Sequence, residues 1–180
     1  MGKQKLGFFS LYATEVTDSY VGSLLVTDEF GIPLEFKCTH AVKPTAIQRS
    51  LYGDKLQPYV AITLCGIPLI NSIGNKPDML FVNIPYILGI RPNIEISTLL
   101  IRRAGESINL QSDEDDSEKH KIESGLYQAV ILQTHPSYKE EAMRLNGEIN
   151  LLFNNFDLIE PFERMKKSVE ILGKSDSKFK

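Results

Sequence analysis

Residues 19–52, SYVGSLLVTDEFGIPLEFKCTHAVKPTAIQRSLY, read as a β-hairpin that hands over to a helix. In the second strand Leu34, Phe36, Cys38 and His40 alternate with Glu35, Lys37 and Thr39. Alternation with period two places one set on a buried face and the other on a wetter one. The preceding run, 20–27, is apolar on both faces, the pattern of a strand interior to a sheet. Asp28-Glu29-Phe30-Gly31 joins the two strands. Aspartate opens a type I turn, and Gly31 can take the left-handed conformation that closes a bulged hairpin. Pro33 suits a strand start, where its missing N–H does least harm, and Pro44 suits the first turn of a helix.

Upstream, residues 5–16 supply another strand, with bulk from Phe8, Phe9, Leu11 and Tyr12. Downstream, Ile47 and Leu51 lie one turn apart in a short helix over 44–52, and Leu56, Val60 and Leu64 mark a second over 54–65. Residues 69–73 add a last turn before Gly74-Asn75-Lys76-Pro77, a stop signal. The wholly apolar run 79–82 reads as a buried parallel strand. A turn at 86–89 leads to a fifth strand over 94–102, and 126–134 is a sixth, pairing with it across an acidic loop at about 105–125. That loop carries five acids between Asp113 and Glu118 and is expected to be solvated and mobile. Ser137 and Glu140 have the spacing of a capping box. Two apolar stripes follow, Ala142-Leu145-Ile149-Leu152 and Phe162-Met165-Val169-Leu172, each on a helix. Residues 175–180 are expected to fray. The prediction is one mixed α/β domain over 1–174, built on a six-stranded sheet that starts with a three-stranded antiparallel meander.

Composition narrows the function classes. The 180 residues are 42% hydrophobic and 24% charged, ordinary for a globular chain, with a net charge of −3. No global basic field attracts phosphate backbones, which argues against direct nucleic-acid binding. No apolar run approaches the roughly 20 residues that span a bilayer. The opening residues lack the apolar core of a secretory signal, and two cysteines suit a reducing cytoplasm. Neither Gly-rich phosphate motif occurs, nor does the serine-hydrolase elbow, and no cofactor is implied.

Three antiparallel strands, then a helix leading to a buried strand, is an order that resembles the ribonuclease-H-like fold. The resemblance implies carboxylates gathered on Mg²⁺ at the ends of the first and fourth strands and on the helix. Here Glu15 stands near the end of the first strand and Asp18 in the following turn, the fourth strand runs into Asn83, and Asp78 stands at the wrong end. The helix over 44–52 has no acid, so the constellation is incomplete. The run 22–53 also resembles uncharacterised bacterial proteins, which implies a cytoplasmic bacterial chain without an assigned activity.

Other candidate chemistry is sparse. Cys38 and His40 share a strand face and could hold a metal with Cys65 and His135, but that face continues as Leu34 and Phe36, a core face. Cys65 near a helix end is at the wrong pole to stabilise a thiolate. Asn83 and Tyr86, at the carboxyl end of the buried strand, stand where parallel sheets bind small ligands. The acidic loop lacks the glycine of a Ca²⁺ loop. Arg102, Arg103, Lys119 and Lys121 flank it and are offset by its acids. Arg144, Arg164, Lys166 and Lys167 give the last helices a basic side. The leading expectation is a non-enzymatic interaction or assembly subunit, working with other cytoplasmic proteins or with itself through the hairpin edge and the last two helices. The alternative is a metal-dependent phosphodiesterase using Glu15, Asp18 and Asp28 with His135. A further alternative is a nucleotide or small-ligand sensor using Asn83 and Tyr86.

Overall fold

A computed structural model of the chain describes residues 4–14, 18–105 and 119–179. Glu15 and the acidic run 106–118 lie outside them. The hairpin reading holds. β1 (Leu6–Thr14) and β2 (Ser19–Thr27) pair antiparallel over nine residues, and β3 (Pro33–Cys38) adds to the far side of β2. Asp28 Oδ1 accepts from the Phe30 and Ile32 N–H groups at 3.0 and 2.9 Å, and Gly31 sits at φ 78°. All of β2 is buried. β3 is the outermost strand, so its inward face is only half covered: Phe36 packs on the core, while Leu34 is 43% exposed.

Among the described residues the sheet has seven strands, not six, in the order β3-β2-β1-β4-β5-β7-β6. β4 (Met79–Val82) runs parallel to β1, and β5 (Ser97–Arg103) runs parallel to β4. β7 (Val130–Thr134) lies antiparallel to β5, as the predicted hairpin requires. The extra strand is β6 (Lys119–Ile122), which pairs with β7. Its sequence, KHKI, contains a single core side chain, Ile122, so periodicity gives no sign of it. The ladder with β7 is what makes it a strand, a case of context overriding propensity.

Helical segments cover both faces. On one, α1 (Ala46–Tyr52), α2 (Leu56–Tyr59), a π-helical stretch (Val60–Gly66) and α3 (Ile67–Ser72) follow one another. Thr45, rather than Pro44, starts α1: it forms a capping box with Gln48. Ile47 and Leu51, one turn apart on α1, are 72% and 79% exposed. The π-helical stretch lies hard against β2. A Cβ on Gly22 would stand 2.4 Å from the Cys65 Cβ, so only glycine permits this approach. On the other face α4 (Glu140–Asn155) buries its predicted stripe against the sheet, and α5 (Glu160–Ser175) buries Phe162, Met165 and Val169 of its own, while Leu172 is only half-buried. The cap differs: His135 Nδ1, not Ser137, accepts the N–H that begins the turn before α4. α5 continues to Ser175, and a 3₁₀ turn (Ser177–Phe179) follows, with Lys178 O accepting from Ala41 N–H at 2.7 Å.

Candidate functional site

The strand directions create two chemically different sheet ends. The carboxyl ends of β1, β4 and β5 meet at one, and their amino ends at the other. Along β1 the side chains facing α4 and α5 are Leu6, Phe8, Ser10 and Tyr12, so the apolar row stops at Ser10. Along β4 the matching row is Met79 and Phe81, then Asn83. Phe8 stacks on Phe81 with ring centres 5.4 Å apart. One step further toward the carboxyl end, the Ser10 hydroxyl donates to Asn83 Oδ1 at 2.7 Å. Ser10 is 1% exposed, whereas Asn83 is open to solvent. One step further again, the Tyr12 hydroxyl donates to Phe162 O at 2.9 Å, and burial pushes its phenol well above the ordinary range. The core thus ends in a polar lip with Asn83 outermost.

This is where the expected metal centre would need carboxylates, because Mg²⁺ favours hard anionic oxygens and a two-ion site must neutralise phosphate charge. The chain places a hydroxyl and a neutral amide there, so the donor set does not fit. Among the described residues no group of three His, Cys, Asp or Glu side chains converges. Asp18 stands at the same sheet end, at φ 47°, with Oδ2 3.0 Å from Arg49 Nη2. Asp28 follows β2 at its other end, about 30 Å away along nine residues of strand. His135 follows β7, also at the amino end of β5, against the Tyr138 ring. The structure therefore brings neither Asp28 nor His135 to Asp18.

The remaining candidates separate too. Asn83 faces the α4–α5 side, whereas Tyr86 packs with the α1–α3 side, its hydroxyl 3.5 Å from Gln57 Oε1 and its pKa pushed up to about 12 by burial. Cys38 shares a face with Phe36, and Cys65 lies under the opposite face, so the thiols cannot share an ion. Burial pushes both thiols up, away from reactivity. His40 is exposed and meets the Phe179 ring edge-on. Arg103 is taken by Asp157, and Lys121 by Glu123.

The amino end of β5 holds what sequence reasoning missed. Arg91 forms a forked pair with Glu141, Nη2 to Oε1 at 2.7 Å and Nε to both oxygens at 3.0 and 3.1 Å. Ser97 Oγ donates to Glu141 Oε1 at 2.9 Å and accepts from Arg144 at 3.0 Å. The Arg91 guanidinium lies 4.0 Å over the Tyr138 ring. Burial pushes the Glu141 carboxyl up, but Arg91, Ser97 and the Thr98 N–H outweigh it and hold the group below the usual range. A groove of about 730 Å³ opens beside this network, lined in part by Arg91, Lys76 and Tyr138. The Arg91 charge is already committed to Glu141, which makes this end structural first. No sequence signal could have paired two residues 50 positions apart.

No family model matches the sequence, and no curated protein matches it. Solved structures do. Endonuclease V of Ciona intestinalis, in complex with a 24mer DNA containing an inosine followed by a ribo-adenosine, superposes with a TM-score of 0.51 at 12% identity, over 97% of this chain and 88% of that one. A variant of that enzyme on a 23mer gives 0.49 at 14% identity, over the same shares. Marinitoga piezophila Argonaute with a 5′ OH guide RNA gives 0.32 at 14% identity, over 78% of this chain and 25% of its own. Among the described residues no helix is long and apolar enough to cross a membrane. The endonuclease likeness corrects the expectations of a non-enzymatic assembly subunit, of partnership with other cytoplasmic proteins or with itself, and of unlikely direct nucleic-acid binding, since a solved chain with this architecture is an endonuclease in complex with DNA. The apolar stripes meant for a partner are likewise spent on the home sheet. At the level of fold, the chain has a mixed seven-stranded sheet with helices on both faces and shares its architecture with endonuclease V.

Proposed function

We propose that this protein acts on nucleic acid, receiving a strand at the carboxyl ends of β1 and β4, where Asn83 forms the outer lip. The observation that carries the reading is the superposition on a DNA-bound endonuclease over 97% of the chain. The place follows from a general property of such sheets: ligands gather outside the carboxyl ends of parallel strands. With a net charge of −3, local contacts rather than a global field must hold the strand. A second reading, divalent-ion phosphodiester cleavage at the same end, rests on Asp18 alone, whose exposed carboxylate would have to leave Arg49 to serve it.

Fluorescence anisotropy with labelled single- and double-stranded DNA and RNA tests the proposal. Binding is expected with Kd of about 10⁻⁴–10⁻⁶ M, weakening as salt rises. Lack of any saturable signal with every strand would overturn it. Incubation of end-labelled strands with Mn²⁺ decides between the two readings. Intact strands support binding alone, while cleavage that Asp18→Ala abolishes establishes the second.

A further inference from the structure

We infer that Ser10 and Asn83 form a metal-independent contact for a phosphodiester oxygen. The inference rests on the nucleic-acid reading above and gives that site its chemistry. The Ser10 hydroxyl, which also neighbours the Tyr12 phenol, donates to Asn83 Oδ1 at 2.7 Å, so the acceptor end of the amide is turned inward. Its donor end, the Nδ2 hydrogens, is left on the open side of an exposed residue. The Ser10 backbone is held in place: it pairs with Ser23 of β2, the β4 ladder reaches its neighbour Phe9, and Ser10 is 1% exposed. The amide is therefore oriented before any ligand arrives, which removes part of the ordering cost of binding. A phosphodiester oxygen is an anionic acceptor, and a neutral donor meets it without the charge balance that a carboxylate centre needs from divalent ions. Two carboxylates at these positions would repel a phosphate unless ions lay between. A hydroxyl–amide pair does not repel it.

The experiment uses the full chain, labelled single-stranded DNA as the probe, and EDTA, Mg²⁺ or Mn²⁺ in turn. Unchanged affinity in EDTA is expected, with no rise in melting temperature from either ion. Asn83→Ala is expected to weaken strand binding about tenfold, the loss of one hydrogen bond to a charged acceptor. Asn83→Asp should weaken it further in EDTA and recover with Mn²⁺. Ser10→Asp/Asn83→Asp should gain a Mn²⁺-dependent rise in melting temperature. If burying that second carboxylate prevents folding, Asn83→Asp alone carries the test, because position 83 is exposed. Loss of wild-type binding in EDTA, or stabilisation of the wild type by either ion, overturns the inference. So does an Asn83→Ala variant that binds as well as the wild type, in which case the nucleic-acid reading survives. A wild type that binds no strand ends both.

Discussion

The two ends of the sheet invert the usual expectation about charge. At the amino end of β5, Arg91 and Glu141 are 13% and 10% exposed and bonded to each other, to Ser97 and to backbone. At the carboxyl end of β4 a neutral pair, Ser10 and Asn83, opens to solvent. In the charged cluster the Arg91 and Glu141 charges are spent on each other. The uncharged pair keeps an open donor, the amide nitrogen of Asn83. A constellation of ionisable groups therefore locates the brace of this molecule, and a modest polar contact locates its opening.

The sharpest way to break this contrast is to remove one partner of the brace. Arg91→Ala or Glu141→Ala should cost about 3–5 kcal/mol of stability, because either leaves a buried charge uncompensated. Asn83→Ala should stay within about 0.5 kcal/mol of the wild type, as exposed substitutions do. Urea unfolding of the variants measures both, and equal losses would erase the distinction between the ends.

A smaller effect is confined to acid. The folded carboxyl of Glu141 titrates below the ordinary value of 4.5, so the unfolded chain takes up its proton first as pH falls. The stability from this group is present above about pH 4.5 and is lost as pH drops through the folded value. Glu141→Gln should flatten that limb in melting temperatures followed against pH, and an unchanged limb would mean that other carboxyls govern it.

The smallest effect belongs to the lip. Tyr12→Phe should cost about 1 kcal/mol at neutral pH, one hydrogen bond to Phe162 O. The folded phenol holds its proton above the ordinary value of 10, so folding loses stability as pH rises past 10. The variant should lack that alkaline loss, as chemical denaturation at pH 9 and above would register.

The sequence announces its local structure better than its site. Gly31, Asp28 and the alternation through Phe36 mark the hairpin because turn chemistry and periodicity act between neighbours. The stripes of α4 and α5 are plain for the same reason. β6 escapes because only Ile122 of its four residues reaches the core. Asn83 is recognisable as a strand-end residue, but its partner Ser10 lies 73 positions away and has no distinctive chemistry. Asp28 and His135 look compatible with Asp18 until the antiparallel course of β2 and β7 sends them to the far end. Which end a residue occupies is a property of topology, and no local pattern encodes it.

The turn at Ser177–Phe179 has a consequence for colloidal behaviour. β3 is an outermost strand, and unsatisfied outer rims of sheets recruit other strands into aggregates. Where the chain leaves β3, Lys178 O occupies the Ala41 N–H and the Phe179 ring lies edge-on against His40, so that backbone donor is closed to strangers. Losing these few residues would leave the Ser10–Asn83 lip untouched and yet open that stretch of rim to strand addition.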